Sequence, residues 1–347
     1  MRVAAFFVLL AACSAHAQAV TIAWSPVGNP GNAADTADGD GTAVGVQNFG
    51  AIGYNYNIGT YDVTNSQYVE FLNAKVPLGE VADPLGLYNS GMSNATYGGI
   101  NFNPGAPVGS MFSTISGTQN HPVNYVTWYD AIRFANWMNN GQGNGDTETG
   151  SYTLLGGTPT PSNASSITRN AGARIVLPNE NEWYKAAYYN PATHSYFLFP
   201  TSSNTEPTAS GPGAIVNSAN WNNTVGNLTD VGAYSGTTSP YGAFDMAGNV
   251  GQWDETKYLT GEFIAQLARG VRSGSFSNVL FADPGRSSFV TYGGPSYSGT
   301  AGDIVGFRLA MVPEPSSVSL AALGLAGLAA WGWRRAFTRP AKRDIAE

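Results

Sequence analysis

Residues 241–253 read YGAFDMAGNVGQW and combine oxygen-bearing side chains, glycines and large aromatic residues in one short stretch. Asp245 offers a carboxylate and Gln252 an amide oxygen, while the glycine at Gly248 makes its own carbonyl and that of Val250 reachable. A hard cation such as calcium prefers oxygen ligands of this kind. The stretch therefore predicts a calcium site, and the alternative is a turn that is held by hydrogen bonds alone.

The composition predicts a loop-rich folded domain rather than a helical bundle. The chain has 347 residues, of which 43% are hydrophobic, 12% aromatic and only 11% charged, with 43 Gly and 20 Pro. Short strands and many turns suit these values, and the aromatic content argues against a disordered chain. Residues 3–333 carry ten Lys and Arg against twenty-one Asp and Glu, a formal charge of −11. An acidic body of this kind argues against nucleic-acid binding.

Three segments have the pattern of a helix that begins at a capping residue. They read YNIGTYDVTNSQYVEFLNA at 56–74, HPVNYVTWYDAIRFANWMN at 121–139 and RIVLPNENEWYKAAYYNP at 174–191. Thr64 and Asn179 are expected to form capping boxes with Gln67 and Glu182, and Thr127 is expected to cap the middle helix.

Two further segments flank these helices. Residues 52–63 place aromatic and β-branched residues near alternate positions, which predicts a strand. Residues 140–171 are polar, rich in Gly, Thr and Ser, and show little periodicity. We expect residues 140–171 to form a surface insertion.

With RGVRSGSF at 269–276 and GFRLA at 306–310, these segments resemble the formylglycine-generating enzyme (sulfatase-modifying factor) family, in the family's order. The family signature G-L-Y-D-M-x-G-N-V-W-E-W is similar to residues 241–253, except that Gly251 replaces its internal Trp and Gln252 its Glu. The resemblance implies an α+β fold: a loop-rich, C-type-lectin-like single domain, which we place at residues 18–311.

The resemblance also implies where catalytic chemistry would lie. Catalytic family members bind copper(I) through two cysteines that follow the R-G-G-S-W motif, since this soft ion selects thiolates. Those two places fall on Asn278 and Asp283, and the chain's one cysteine is Cys13. Ser275 remains, but no His lies near it in sequence to activate it. We therefore expect no copper and no catalytic residue, which favours a non-catalytic protein.

A second cation site is implied by the same resemblance, and an iron site is a separate alternative. In the family an Asn, the next carbonyl and a later acid hold the second cation; here these are Asn220, Trp221 and either Asn223 or Asp230. The two histidines beyond residue 17, His121 and His194, would hold iron only if a carboxylate joined them. His121 is better explained as part of a motif that shapes the loop before Pro122.

The function therefore remains open between three classes. The first is a structural module, and the second is a binding protein that presents a glycan or peptide ligand to the former active-site face. Residues Ser275, Asn278, Asp283, Phe289, Tyr292 and Tyr297 are the candidates for that face. The aromatic residues among them are equally well explained as core. The third class is an oxygen-dependent, peptide-modifying oxidase with a non-thiol active site.

The two ends of the chain predict export. Residues 1–17 have one basic residue, an apolar run and Ala-His-Ala, which indicates a signal peptide; cleavage before Cys13, as in a lipoprotein, is the alternative. Residues 312–347 begin Val-Pro-Glu-Pro, continue as an apolar run over 316–333 and end in a basic tail.

That tail resembles a PEP-CTERM sorting signal, which an exosortase recognises at the bacterial inner membrane, and a plain tail anchor is the alternative. Its apolar run is long enough for a transmembrane helix, and its basic flank would stay in the cytoplasm. The expected location is the membrane during sorting, and then the cell surface or extracellular matrix of a Gram-negative bacterium.

Overall fold

The described α-helices end at residue 188 and a run of described strands follows them, which suits the predicted α+β class. In the computed structural model the described residues are 19–36, 48–79, 83–258, 268–277 and 304–313. Within these ranges the helices are α1 (Asn65–Lys75), α2 (Trp128–Asn139) and α3 (Glu180–Tyr188). The strands are β1 (Trp24–Val27), β2 (Tyr56–Gly59), β3 (Ile100–Phe102), β4 (Phe112–Thr114), β5 (Ile175–Val176), β6 (Tyr189–Asn190), β7 (Ser195–Tyr196), β8 (Thr208–Ala209), β9 (Ser218–Ala219), β10 (Gly251–Tyr258), β11 (Ala268–Arg272), β12 (Val305–Gly306) and β13 (Ala310–Met311).

Each of the three helices begins at the residue that the sequence predicts. Thr64, Thr127 and Asn179 are the N-caps of α1, α2 and α3, and each forms a capping box with the residue three positions later. A capping box satisfies two backbone N–H groups that a helix start otherwise leaves without a partner. The helix starts therefore depend on contacts between near neighbours in the sequence.

Two sheets organise the described strands. One has four antiparallel strands in the order β1-β2-β13-β5. The other has the order β11-β10-β12, with β10 antiparallel to β11 and parallel to β12. Three two-stranded pairs, β3–β4, β6–β7 and β8–β9, lie in the connecting loops.

The strand predicted at residues 52–63 is shorter in the structure, where β2 covers Tyr56–Gly59. After Gly59 the chain turns toward the start of α1, and the ring of Tyr61 stacks on Phe244 at 5.4 Å between centroids. The predicted pattern extends past the strand because Asp62 and Val63 are also buried, although they are no longer in a ladder. Burial alone does not distinguish a strand from a packed turn.

Aromatic rings from three separate segments of the chain form the core between α1 and α2. Phe71 of α1 and Phe134 of α2 lie 5.3 Å apart, and Phe307 lies 5.4 Å from Phe134. All three rings are fully buried. Edge-to-face packing at such distances stabilises a core beyond the area that it buries.

The surface insertion expected at residues 140–171 is wrong in one respect, because part of the segment belongs to the core. Tyr152, Leu154 and Ile167 are buried, and Arg169 reaches the carboxylates of Glu182 and Glu255. Few apolar residues mark this segment, so periodicity could not reveal its anchors. The anchors lie singly between polar turns, each contacting a different element.

The predictions for the two ends fall outside the described residues. These are the signal peptide at residues 1–17 and the apolar helix at residues 316–333. In the part of the chain that the structure describes, no helix combines the length and apolar character needed to cross a membrane.

Candidate functional site

The turn at residues 241–253 is clamped by backbone contacts on both sides. Gly248 pairs with Asn220 in a parallel bridge, and Asn249 N donates to Asn220 O at 2.9 Å. On the other side Gly248 N donates to Ser273 O at 3.0 Å. Gly248 has a φ of +78°, and a Cβ there would lie 2.2 Å from Asn220 O. Only glycine allows this approach, which joins the loop after β9 to the segment after β11.

Gln252 lies at the start of β10 with its side chain fully buried. Its Nε2 donates to the carbonyl of Asp245 at 2.8 Å. Its Oε1 accepts from Trp183 Nε1 at 2.7 Å and from Arg308 Nε at 2.6 Å. An amide oxygen has two lone pairs, so these two donors use its full accepting capacity.

The Ser273 hydroxyl contacts two backbone carbonyls on the inner side of the turn. Its Oγ lies 3.0 Å from Gly248 O and 3.3 Å from Asp245 O. The carboxylate of Asp245 accepts from the N–H of Gly232 at 2.6 Å. Most of the oxygens predicted to bind calcium therefore already accept hydrogen bonds from donors of this chain.

The predicted calcium ligands do not fit a cation in this arrangement. A calcium ion takes six to eight oxygens at about 2.3–2.6 Å. The oxygen of Gln252 is saturated by two N–H donors, and the carbonyls of Asp245 and Gly248 share the Ser273 hydroxyl.

The second predicted cation site is only partly assembled. Asn220 is buried, and its Oδ1 accepts no hydrogen bond from any described residue. The carbonyl of Trp221 accepts from Thr224 N at 3.2 Å. The carboxylate of Asp230 lies instead 3.7 Å from His121 Nε2, with half of its side chain exposed. A cation at Asn220 and Trp221 stays a prediction.

A buried pair of opposite charges lies beside the turn. Arg308 and Asp62 are both fully buried, with Arg308 Nη2 at 3.0 Å from Asp62 Oδ1. Neither oxygen of Asp62 accepts a well-aligned hydrogen bond from the described residues. Burial raises the pKa of Asp62 to about 8, against an opposing effect of Arg308, and burial also raises the pKa of Asp245 to about 6.

Asp62→Asn should make the protein more stable at pH 8 than the unchanged chain. A raised folded-state pKa means that stability is fullest below the unfolded value of 3.8 and is lost as the pH rises through about 8. The Asn variant cannot ionise and should not lose stability in this window. Urea unfolding between pH 5 and pH 8 measures the difference, which should shrink toward pH 5.

The matched control for this prediction is Glu206→Gln, which removes an exposed carboxylate. This control should leave the pH profile of unfolding unchanged. A loss of stability in Asp62→Asn over the whole pH range would contradict the prediction, because it would show that the ionised pair with Arg308 is net stabilising.

Two positions that correspond to active-site residues of the family, Gly251 and Ser275, are buried in the described structure. Gly251 is buried, and a Cβ there would meet Val271 Cγ1 at 2.8 Å, with Ile304 O at 3.4 Å and Val305 Cγ2 at 3.7 Å. Ser275 is 1% exposed, and its hydroxyl lies 3.3 Å from that of Ser277. A tryptophan at position 251 would require β11 or β12 to move.

Other predicted residues lie outside the described part of the chain. They are Asn278, Asp283, Phe289, Tyr292 and Tyr297. Of the two histidines, His121 contacts Asp230, whereas His194 Nδ1 lies 3.1 Å from Tyr189 Oη. Among the described residues, no three His, Cys, Asp or Glu side chains group as a metal site would require.

Comparison with known families agrees with the order of motifs along the chain. The sulfatase-modifying factor enzyme 1-like domain matches residues 30–312, which is most of the chain. This chain belongs to that family. The sulfatase-modifying factor match includes the turn at residues 241–253, and the chain has the family's fold. A search of curated proteins found no match.

The sorting motif is also confirmed. A PEP-CTERM protein-sorting motif matches residues 312–336, directly after the family domain. This motif is recognised by exosortase, and it indicates an exported protein that is sorted via the membrane.

Three solved structures are similar to this family member, all at low identity. CarF is 19% identical, with 84% of this chain and 99% of that chain covered and a TM-score of 0.47. Variable protein 1 of Treponema denticola is 18% identical, with coverage of 86% and 97% and a TM-score of 0.49. PvdO from Pseudomonas aeruginosa is 16% identical, with coverage of 81% and 90% and a TM-score of 0.42.

Sequence reasoning missed four residues that shape the turn in this family member: Asp62, Trp183, Ser273 and Arg308. A signal was present for two of them, since Asp62 and Arg308 are single charges within otherwise apolar stretches, TYDVT and GFRLA. A charge in such a stretch is seldom buried without a partner. The identity of the partner was not accessible, because Arg308 and Asp62 are brought together only by the fold.

Proposed function

We propose that this sulfatase-modifying factor family member is a non-catalytic, exported protein of the cell surface or extracellular matrix, with a structural or ligand-binding role on a C-type-lectin-like core. The observation that carries the proposal is the absence of a thiol pair. The chain's one cysteine is Cys13, within the predicted signal peptide. Copper(I) selects thiolate ligands, and neither Asn278 nor Asp283 supplies one.

The surroundings of Gly251 support the same proposal. Catalytic relatives carry a Trp at this position, whereas here the side chains of Val271 and Val305 pack against the glycine. Gly251 N also donates to Ile304 O at 2.7 Å. Apolar packing and a backbone bond therefore take the space that a substrate-facing ring would need.

Ser275 does not replace the missing nucleophile. A serine hydroxyl needs a neighbouring base to become nucleophilic. Among the described residues, the Ser275 hydroxyl lies 3.3 Å from the hydroxyl of Ser277, which is not a base at neutral pH. Its near-complete burial also keeps Ser275 from a ligand in this arrangement.

Delivery to the cell exterior supports the proposed location. The PEP-CTERM motif follows the domain directly, so exosortase is the expected processing partner at the inner membrane. The signal peptide at residues 1–17 and the transmembrane helix at residues 316–333 complete the proposed route. The acidic body supports a role that does not involve nucleic acid.

The full chain incubated with a cysteine-containing sulfatase peptide, copper and oxygen should leave the mass of that peptide unchanged. Mass spectrometry measures the product, and a catalytic family member in parallel shows that the conditions support turnover. The variant Asn278→Cys with Asp283→Cys is the matched test of whether thiols alone restore activity. Mass loss at the peptide cysteine with the unchanged chain would overturn the proposal in favour of a non-thiol oxidase.

A binding role is separated from a purely structural role by a glycan and peptide array. Saturable binding of one ligand class by the full chain would assign the binding role. Absence of binding, with the protein retained in a surface or matrix fraction, would assign the structural role.

A further inference from the structure

We propose that the turn at residues 241–253 is cross-linked by the Gln252 amide and the Ser273 hydroxyl instead of by a cation. In this arrangement an internal hydrogen-bond network does the work that a carboxylate and a metal ion would share. The inference is independent of the proposed function, since it concerns how the fold is held.

The chemistry of an amide is the first step. Gln252 Nε2 donates to the carbonyl of Asp245 at 2.8 Å. A carboxylate has only acceptors, so a Glu at this position would face the carbonyl oxygen with another oxygen. Two opposed acceptors need a proton or a metal cation between them, whereas an amide and a carbonyl bond directly. The amide thus removes the need for the ion at this contact.

The other end of the same side chain is the second step. Gln252 Oε1 accepts from Trp183 Nε1 at 2.7 Å and from Arg308 Nε at 2.6 Å. A cation bound to this oxygen at about 2.4 Å would lie within about 5 Å of the guanidinium. A dication and a guanidinium at that distance repel each other strongly in a buried site. Arg308 therefore already supplies the positive charge that this oxygen can accept.

The third step concerns Ser273, whose backbone adopts an unfavourable conformation. Its φ is +86°, a region that residues with a Cβ rarely adopt. Its hydroxyl lies within hydrogen-bonding distance of both Gly248 O and Asp245 O. A serine in this conformation indicates that its hydroxyl is needed. The hydroxyl is placed so that it can bond to both carbonyls of the turn.

The melting temperature of the full chain should be the same in calcium and in chelator. At pH 8 Gln252→Glu should melt about 5 °C lower in chelator and recover when calcium is added, because its carboxylate opposes the Asp245 carbonyl and its negative charge offsets the repulsion between the ion and Arg308. Gln119→Glu is the matched control, since Gln119 is exposed and the added charge is identical. The control should show no dependence on calcium.

A calcium-dependent rise in the melting temperature of the unchanged chain that Asp245→Asn abolishes would overturn the proposal. A rise that persists in Asp245→Asn and disappears in Asn220→Ala would place the ion at the second position and would support the network at the first. If Gln252→Glu fails to fold in both conditions, calorimetric titration of the unchanged chain decides: calcium binding that Asp245→Asn removes overturns the proposal, and no such binding supports it.

Discussion

Arg308→Met should lower the free energy of unfolding by about 3–5 kcal/mol. The guanidinium donates to Gln252 Oε1 at 2.6 Å, to Gly59 O at 2.8 Å and to Phe244 O at 2.8 Å. Methionine fills a similar volume but removes all three donated bonds: Gln252 Oε1 keeps only the Trp183 donor, and the carbonyls of Gly59 and Phe244 lose the guanidinium. Each acceptor left unsatisfied costs about 1–3 kcal/mol when it is buried. Urea unfolding of the full chain measures the loss.

Arg174→Met is the matched control for this experiment, because Arg174 is exposed. The control should change stability by no more than about 0.5 kcal/mol. Arg308→Lys keeps the charge but not the three-way donation, and it should lose an intermediate amount. Equal stability of Arg308→Met and the unchanged chain would refute the description of Arg308 as the link between β2, the turn and β10.

Arg169→Met should destabilise the protein by a similar amount, about 3–5 kcal/mol. The guanidinium contacts both oxygens of Glu182 at 2.9 Å, Glu255 Oε2 at 3.0 Å and the carbonyl of Leu177 at 3.0 Å. Removing this guanidinium leaves the carboxylates of Glu182 and Glu255 close together with little access to water. The same change should loosen residues 140–171, which hydrogen exchange would show as faster exchange in that segment.

Lys257→Met is the control for Arg169, because Lys257 also contacts this segment, through Ser165 O at 2.8 Å. Lys257 is partly exposed, so its loss should cost at most about 1 kcal/mol. Arg169→Lys should fall between the two, since lysine cannot make the paired contact with Glu182. Unchanged exchange in residues 140–171 of Arg169→Met would contradict the anchoring role.

Helix starts were predictable from sequence because their stabilising contacts are local. Thr64, Thr127 and Asn179 each bond to a backbone N–H only three residues away. The length of β2 was less predictable, since Asp62 and Val63 beyond its end are buried without joining a ladder. A burial pattern shows which side chains are shielded from water. A strand and a packed turn can give the same pattern.

The candidate site was predictable in position but not in chemistry. The sequence places Gln252 after a glycine-rich turn, where an amide oxygen near a carboxylate indicates a cation. The donors that saturate Gln252 come from Trp183 and Arg308, which are 69 and 56 residues away along the chain. No local sequence pattern indicates such distant partners. The same residue types are therefore compatible with a cation site and with a hydrogen-bonded turn.

From its residues alone this chain shows its family, its helix starts, the glycine that its central turn requires and the absence of a thiol pair. The fold alone decides that Arg308 meets Gln252, that Arg169 enters the core and that Val271 closes the space beside Gly251. The reason is the range of the forces involved. Caps and turns are stabilised by neighbours in sequence, whereas a buried charge or amide is stable only with partners that distant segments supply.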